Sequence, residues 1–394
     1  MPASPARRAA LNVLRRVNEQ GAYADRALHG EARDLDARER ALAKRLVFGT
    51  VQRRGTLDWI IDVHVPRRLE PQVRAALQLG LYQLLYTDVA PHAAVAESVE
   101  LAKPSPGAKL VNAVLRTVQR EGVDLPADDT PAGAAVRHSH PEWLVALWWE
   151  WLGAEETRAL LAADNEPAEL ALRINPLAGI DVDLQGRRED DALVVTGAMD
   201  VLAHPLYAAG AITPMSRASQ RVARTVDPQP GERILDVCAA PGGKTTHLAA
   251  LMGDRGEVVA VERHPQRAQA LMAQAERLHA SSVRVQVADA KDITPDLLGG
   301  RFDRILVDPP CSGLGTLRTH PDLRWHATPE SIEGLRVEQE AIVTAARGLL
   351  APGGRLVYST CTLSPREEIV DGTTIRTLPH RDGTDGFYIA VADG

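Results

Sequence analysis

Apolar residues recur with a helical period through the first 125 positions of the chain. Leu77, Leu81, Leu84 and Leu85 stand at i, i+4, i+7 and i+8, and Val111, Val114, Leu115 and Val118 repeat a similar spacing. Each set lays one stripe along a helix, so this stretch is predicted to be an all-helical domain. Turn and breaker residues then crowd the run from Leu125 to Gly133, which predicts a linker and places a boundary near residue 125. From 138 to 220 the pattern is mixed. Trp143, Leu147, Trp148 and Trp151 form a helical stripe expected to pack inward, and Leu170 to Asn175 reads as a short strand ended by Pro176.

Beyond about residue 221 the period changes. Short apolar runs at 234–237, 258–262, 283–287, 305–308 and 356–359 alternate with helical patterns. The clearest of these is Ile332, Leu335, Ile342, Val343, Ala346, Leu349 and Leu350, ahead of Gly353 and Gly354. Alternation of this kind predicts the α/β class, with a doubly wound parallel sheet over 221–394.

Composition narrows the possibilities. At 394 residues the chain is long enough for two or three domains of about 150 residues each. No stretch of about 18 residues is free of charge, and the arginines at 7, 8, 15 and 16 break up any signal-like apolar core. A soluble cytoplasmic protein is expected. The three cysteines are 73 and 50 residues apart, which argues against structural zinc and against a disulfide framework. A net charge of −7 hides a basic start, since residues 1 to 54 carry 12 Lys and Arg against 6 Asp and Glu. That local field could hold phosphates or be a solvated helix face.

Candidate chemistry collects at predicted strand ends. The run Asp236-Val237-Cys238-Ala239-Ala240-Pro241-Gly242-Gly243-Lys244-Thr245-Thr246 follows the first of the β-runs. Gly243-Lys244-Thr245 resembles the end of a P-loop, but the glycine required five positions before Gly243 is replaced by Cys238, and no G-x-G-x-x-G occurs. A loop with little demand for pyrophosphate, followed at the next strand end by Glu262 as a ribose acceptor, fits S-adenosylmethionine better than ATP or NAD. Asp289 reads equally as an adenine ligand or a helix cap. Asp308-Pro309-Pro310 would hold a carboxylate at the cofactor's reactive end, and Cys311 stands where amino-directed methyltransferases place an aromatic residue. A thiol there points to carbon as methyl acceptor. Methylation of cytosine C5 needs a thiolate to add to C6, and on these grounds either Cys311 or Cys361 could supply it.

At this point the chain resembles the Fmu/Sun/RsmB group of RNA cytosine-5 methyltransferases, relatives of the NSUN enzymes, over nearly its whole length. The carrying motifs are 236–246, the D-P-P-C-S-G run at 308–313, His320-Pro321-Asp322-Leu323-Arg324-Trp325, and Ser359-Thr360-Cys361. The runs at 79–86, 96–103 and 111–116 resemble the NusB-like RNA-binding domain of bacterial members. The resemblance implies a class I methyltransferase fold after an all-α NusB-like domain at 1–125, with a mixed subdomain at 138–220. It implies that Cys238, Ala239, Ala240, Pro241, Gly242, Gly243, Lys244, Glu262, Asp289 and Asp308 line the S-adenosylmethionine site. It also makes Cys361 the nucleophile, has Cys311 assist adduct breakdown, and has Asp308 hydrogen-bond the base near N3. No metal is implied. The implied partner is a single-stranded or loop cytosine of ribosomal RNA, which must leave its stack, and the chain is expected to act as a monomer away from membranes.

Two departures accompany the resemblance. Pro214-Met215-Ser216-Arg217 replaces the family's Val-Gln-Asp-Glu. After Cys361 about ten residues lead to the next strand-like run near Thr373, fewer than a parallel crossover normally takes, which predicts a rearranged or weakened sheet edge.

Overall fold

The computed structural model describes residues 3–197 and 199–393. The chain divides into two compact units. One comprises the residues up to Asn165 together with His320–His326, and the other comprises Glu166–Thr319 and the residues from Ala327 onward.

The first unit is helical: α1 (Pro5–Gln20), α2 (Ala24–Glu31), α3 (Ala37–Gln52), α4 (Arg54–His64), α5 (Pro71–Tyr86), α6 (Pro91–Ala102), α7 (Ala108–Glu121), α8 (Pro131–His138), α9 (Glu142–Leu152) and α10 (Ala154–Ala163). Local chemistry sets the ends of α1. Ser4 accepts from the Arg7 amide, Pro5 occupies the first turn, and Gly21 closes the helix at φ 61°. The periodic residues make the core as their spacing predicts, with Leu77, Leu81, Val111, Val114, Leu115 and Val118 all buried, although Leu85 turns outward. Of the tryptophan stripe only Trp148 is fully buried.

The turn-rich run at 125–133 lies inside this unit. Pro131 opens α8, with Thr130 accepting from the Gly133 amide, and α8 to α10 belong with the helices before them, so the division of compact units falls after Asn165. The distant segment His320–His326 is held in the same unit by polar contacts. Asp322 accepts from the Ala24 amide (2.9 Å), and the Trp325 indole donates to the Val51 carbonyl (2.8 Å). The fully buried Arg324 donates to the Ser139 and Asp164 carbonyls and to Asn165 Oδ1 (3.0, 3.2 and 3.2 Å).

The second unit holds two sheets. A small antiparallel one has the order β2-β3-β1-β4, from β1 (Ala171–Ile174), β2 (Gly186–Glu189), β3 (Ala192–Val195) and β4 (Ile212–Pro214). The large sheet runs β10-β11-β9-β8-β5-β6-β7, from β5 (Arg233–Val237), β6 (Glu257–Glu262), β7 (Val283–Val287), β8 (Phe302–Val307), β9 (Leu350–Thr360), β10 (Thr373–Thr377) and β11 (Phe387–Asp393). The strands β5 to β9 are mutually parallel, so their carboxyl ends share one edge. Apolar clusters cover both faces: one includes Ile342, Val343 and Ala346 of α14 (Pro329–Arg347), the other Val222 and Val226 of α11 (Arg217–Val226) with Leu248 of α12 (Gly243–Leu251). A further helix, α13 (Pro265–Arg277), follows β6.

The expected weakening of the sheet edge after Cys361 is corrected. Strand β11 runs antiparallel beside β9 from Tyr388↔Thr360 to Asp393↔Arg355, and β10 pairs with β11. Strand β10 runs parallel to β9 one strand further out and starts level with it, Thr373 facing Val391 and Val391 facing Val357, so the crossover after Cys361 steps back only a few residues and is made through one 3-10 turn, Pro365–Glu367. At the other departure, Ser216 accepts from the Ser219 amide and so caps α11. Among the described residues no helix is long and apolar enough to cross a membrane.

Candidate active site

The shared carboxyl edge of β5, β6, β8 and β9 gathers most of the residues singled out in the sequence. At the end of β5 the chain turns through Cys238 at φ 66° and Gly242 at φ 100° before α12 begins. No side chain caps α12, and a side chain added at Gly243 would meet open space. An uncapped helix start with bare backbone beside it suits a carboxylate ligand such as the methionyl end of S-adenosylmethionine. Glu262 closes β6, buried, with Oε1 accepting from the His264 amide (2.8 Å). These residues fit the cofactor: the loop 238–244 would hold its amino-acid end and Glu262 its ribose hydroxyls.

Asp289 follows β7 and accepts from the Lys291 amide (2.9 Å) in a turn. No helix starts there, so the capping alternative has no counterpart in the fold.

Cys238 is surrounded by carboxylates. Burial pushes its thiol up to about 12, with the charges of Asp308, Asp236 and Glu262 adding to the effect, so it stays protonated and unreactive. Asp236, fully within the sheet, is pushed up to about 7 by burial, against the hydrogen bond it receives from Thr245 Oγ1 (2.6 Å).

Asp308 lies just past β8 and is gripped on both oxygens: Lys244 Nζ is 2.7 Å from Oδ2 and Ser359 Oγ donates to Oδ1 at 2.8 Å. The ammonium of Lys244 also lies 5.4 Å from the centre of the Phe387 ring. Burial opposes its charge, but Asp308 outweighs that with help from Cys361, and its pKa is raised. Lys244, grouped from the sequence with the cofactor loop, thus lends its head group to the thiol site.

The two candidate thiols meet. Cys311 Sγ and Cys361 Sγ are 3.4 Å apart, both half-buried. The backbone pins this arrangement: the Gly315 amide donates to the Cys361 carbonyl (3.0 Å), and the Gly386 amide to the Gly315 carbonyl (2.7 Å). A Cβ at Gly315 would fall 2.0 Å from the Gly386 carbonyl oxygen, so only glycine allows this approach. Cys311 is held protonated well above the usual thiol range, first by its hydrogen bond to Cys361, then by burial.

Several contributors escaped sequence reasoning. Ser359 supports Asp308 from the end of β9, two residues before Cys361, which follows the strand directly, a spacing the sequence did carry. Below the thiols lie Ser312, Gln339, Thr362 and Glu367, all buried, which no local pattern marks. The small sheet also supports the loop: Arg173 of β1 donates to Thr246 Oγ1 (3.0 Å), and His247 Nε2 is 2.5 Å from Asp191 Oδ2.

The fold and this edge define a class I S-adenosylmethionine-dependent methyltransferase carrying an N-terminal NusB-type helical domain. The family models agree: residues 4–120 match the NusB family, 140–186 the ferredoxin-like domain of RsmF/B-like methyltransferases, and 223–371 the 16S rRNA methyltransferase RsmB/F. The probable ribosomal RNA small subunit methyltransferase B of Synechocystis is 36% identical, with 98% of each chain covered. Its Bacillus subtilis namesake is 32% identical over 96% of each. Among solved structures, PH0851 shares the fold at a TM-score of 0.80 and 24% identity, with 98% of both chains covered. NSun6 from Pyrococcus horikoshii, solved with SFG, follows at a TM-score of 0.58 and 24% identity, covering 64% of this chain and 97% of that one. The chain belongs to the ribosomal RNA small subunit methyltransferase B family.

Proposed function

We propose that this protein transfers a methyl group to C5 of a cytosine in small-subunit ribosomal RNA through a covalent adduct on Cys361. The observation that carries the reading is the pair of thiols at 3.4 Å beside the Lys244–Asp308 ion pair, at the edge where the cofactor loop lies. S-adenosylmethionine supplies an electrophilic methyl group when bound. The rest of the chemistry falls to the chain and to the base.

Cys361 is the sulfur that adds, as the family resemblance implies, and the raised pKa of Cys311 supports this order. As a thiolate it forms a bond to C6, and the electron pair displaced from the C5–C6 bond makes C5 nucleophilic toward the methyl group. Asp308, steadied by Lys244 and Ser359, would hold the ring edge near N3. Once the sulfur of Cys361 is bound to carbon, the largest cause holding the Cys311 proton disappears. Cys311 can then give up its proton to solvent and, as a thiolate, take the proton from C5; the pair left behind re-forms the C5–C6 bond and expels Cys361 as thiolate.

The substrate would be a cytosine in a single-stranded or loop segment, since a stacked base cannot reach both sulfur and methyl donor. The helical unit would hold backbone phosphates. Arg7 is unavailable for this, being buried against Gln83 and Glu97, whereas Arg16, Arg33, Arg38 and Lys44 are exposed and make no ion pair among the described residues. A monomer is the expected working form.

Small-subunit RNA carrying tritium at cytosine C5 tests the reaction. Methylation at C5 must release that tritium to water, one per methyl group transferred. Transfer without release would place the methyl group on another atom.

A further inference from the structure

Glu367 is completely buried in the 3-10 turn that follows Cys361, and no Lys, Arg or His forms an ion pair with it among the described residues. A buried carboxylate without a cation is costly unless hydrogen bonds replace its water. Here they do. Oε1 accepts from the Ser312 amide (2.9 Å) and Gln339 Nε2 (3.0 Å), while Oε2 accepts from Ser312 Oγ (2.5 Å) and Thr362 Oγ1 (3.1 Å). Ser312 adjoins Cys311 and Thr362 adjoins Cys361, and their hydroxyls, 2.5 Å apart, share the same carboxylate oxygen, so one carboxylate grips the neighbour of each thiol where the two meet.

The grip extends outward. Gln339 of α14 also donates to the Pro310 carbonyl (2.8 Å), on the other side of Cys311. The Tyr358 hydroxyl donates to the Glu367 backbone carbonyl (2.9 Å) and lies 3.1 Å from Gln339 Oε1, which ties the turn to β9. The loop carrying Cys311 and the chain just past β9 that carries Cys361 come from positions 50 residues apart.

We propose that Glu367 is a positioning residue of the two-thiol reaction: by bonding Ser312 and Thr362 together it sets the spacing and orientation of the Cys311 and Cys361 sulfurs. The inference rests on the covalent reading above, in which both sulfurs must act in sequence on one base. Glu367 does not touch the base, and its negative charge adds to the causes, behind the Cys361 hydrogen bond and burial, that keep Cys311 protonated.

The test uses the full-length protein and a readout separate from methylation. Diamide oxidises two adjacent thiols to a disulfide and is itself reduced to the hydrazine, so the rate at which the 311–361 disulfide forms, followed by mass spectrometry without RNA, reports sulfur geometry. In Glu367→Ala that rate should fall roughly 10-fold, because a disulfide tolerates little misalignment. The kcat for methyl transfer should fall about 100-fold, the scale of an ångström-sized misplacement, with S-adenosylmethionine affinity unchanged. Glu367→Gln, which keeps the volume and one acceptor oxygen, should recover most of both, and Ser312→Ala, a milder change, should shift both in the same direction as Glu367→Ala. A Glu367→Ala protein that binds cofactor normally and forms the disulfide at the wild-type rate would overturn the proposal, whether or not kcat changed. Should Cys361→Ser still methylate RNA, the covalent reading would fail by itself while the disulfide comparison kept its meaning.

Discussion

The sulfurs of Cys311 and Cys361 lie 3.4 Å apart although β9 and the whole of α14 intervene in sequence between the segments that carry them. The pair is asymmetric. Its hydrogen bond to Cys361 and its burial raise the pKa of Cys311, whereas Cys361 lies close enough to Lys244 for its charge to help raise the lysine's pKa. In the proposed mechanism two identical side chains would thereby take different tasks from their surroundings, one adding to the base and the other resolving the adduct.

Replacing Cys311 should therefore stall the reaction after the bond to Cys361 has formed. Cys311→Ser is expected to accumulate a protein–RNA complex that survives denaturing electrophoresis, with turnover reduced by about 100-fold or more, the range of a lost general base. Absence of any stable complex in Cys311→Ser, with turnover intact, would remove Cys311 from the chemistry.

Asp236 should make stability fall as pH rises. Burial lifts its folded carboxyl from the ordinary 3.8 to about 7, so between those values the unfolded chain releases a proton that the folded protein keeps. Its contribution is neutral below pH 4, worsens through the window from about 4 to 7, and then levels off at a cost of at most ~4 kcal/mol. Asp236→Asn should flatten the dependence of the urea midpoint between pH 5 and 8. An identical slope in both proteins would show that the carboxylate is accommodated in its charged form.

Charge reversal on the helical unit should change the salt dependence of RNA binding. Each phosphate contact to a single strand contributes about 0.7 to the slope of log K against log salt, so removing Arg16, Arg33, Arg38 and Lys44 together should lower it by up to about 3. S-adenosylmethionine binding should be unaffected. A slope equal to that of the parent protein would make these residues solvent-facing only.

Arg324 should matter for stability out of proportion to its place in a four-residue helix, Leu323–His326. Its buried guanidinium serves three acceptors, two of them backbone carbonyls, and burial lowers its pKa to about 10. Arg324→Met leaves those acceptors unpaired and should cost roughly 3 kcal/mol in urea unfolding, since each orphaned group costs about 1–3 kcal/mol before relaxation. Arg324→Lys, which cannot reach three acceptors from one planar fork, should recover little. Wild-type stability in Arg324→Met would mean that water replaces the contacts at no cost.

Much of this was legible in the chain because the signals are local. Helical spacing marked α5 and α7, and short apolar runs marked β5 to β9 with Asp236, Glu262, Asp308 and Cys361 at or near their ends. What stayed hidden depends on distance. Glu367 and Gln339 look like surface polar residues in sequence, and only folding places them under Ser312. Likewise Arg324 follows no apolar period, yet it is buried among residues 160 and 185 positions away. The edge after Cys361 misled for a related reason: the short segment is a parallel crossover, but it reaches β10 beyond β11, and β10 starts level with Val357, so little length has to be retraced.

The central claim, that Cys361 bonds to the target base, is tested most directly by RNA whose cytosines carry fluorine at C5. A base cannot abstract fluorine as it does a proton, so the adduct halts after methyl transfer. Digestion and mass spectrometry should then find the nucleotide on the peptide containing Cys361, with none formed by Cys361→Ser. A nucleotide on the Cys311 peptide, or efficient methylation of ordinary RNA by Cys361→Ser, would contradict the account.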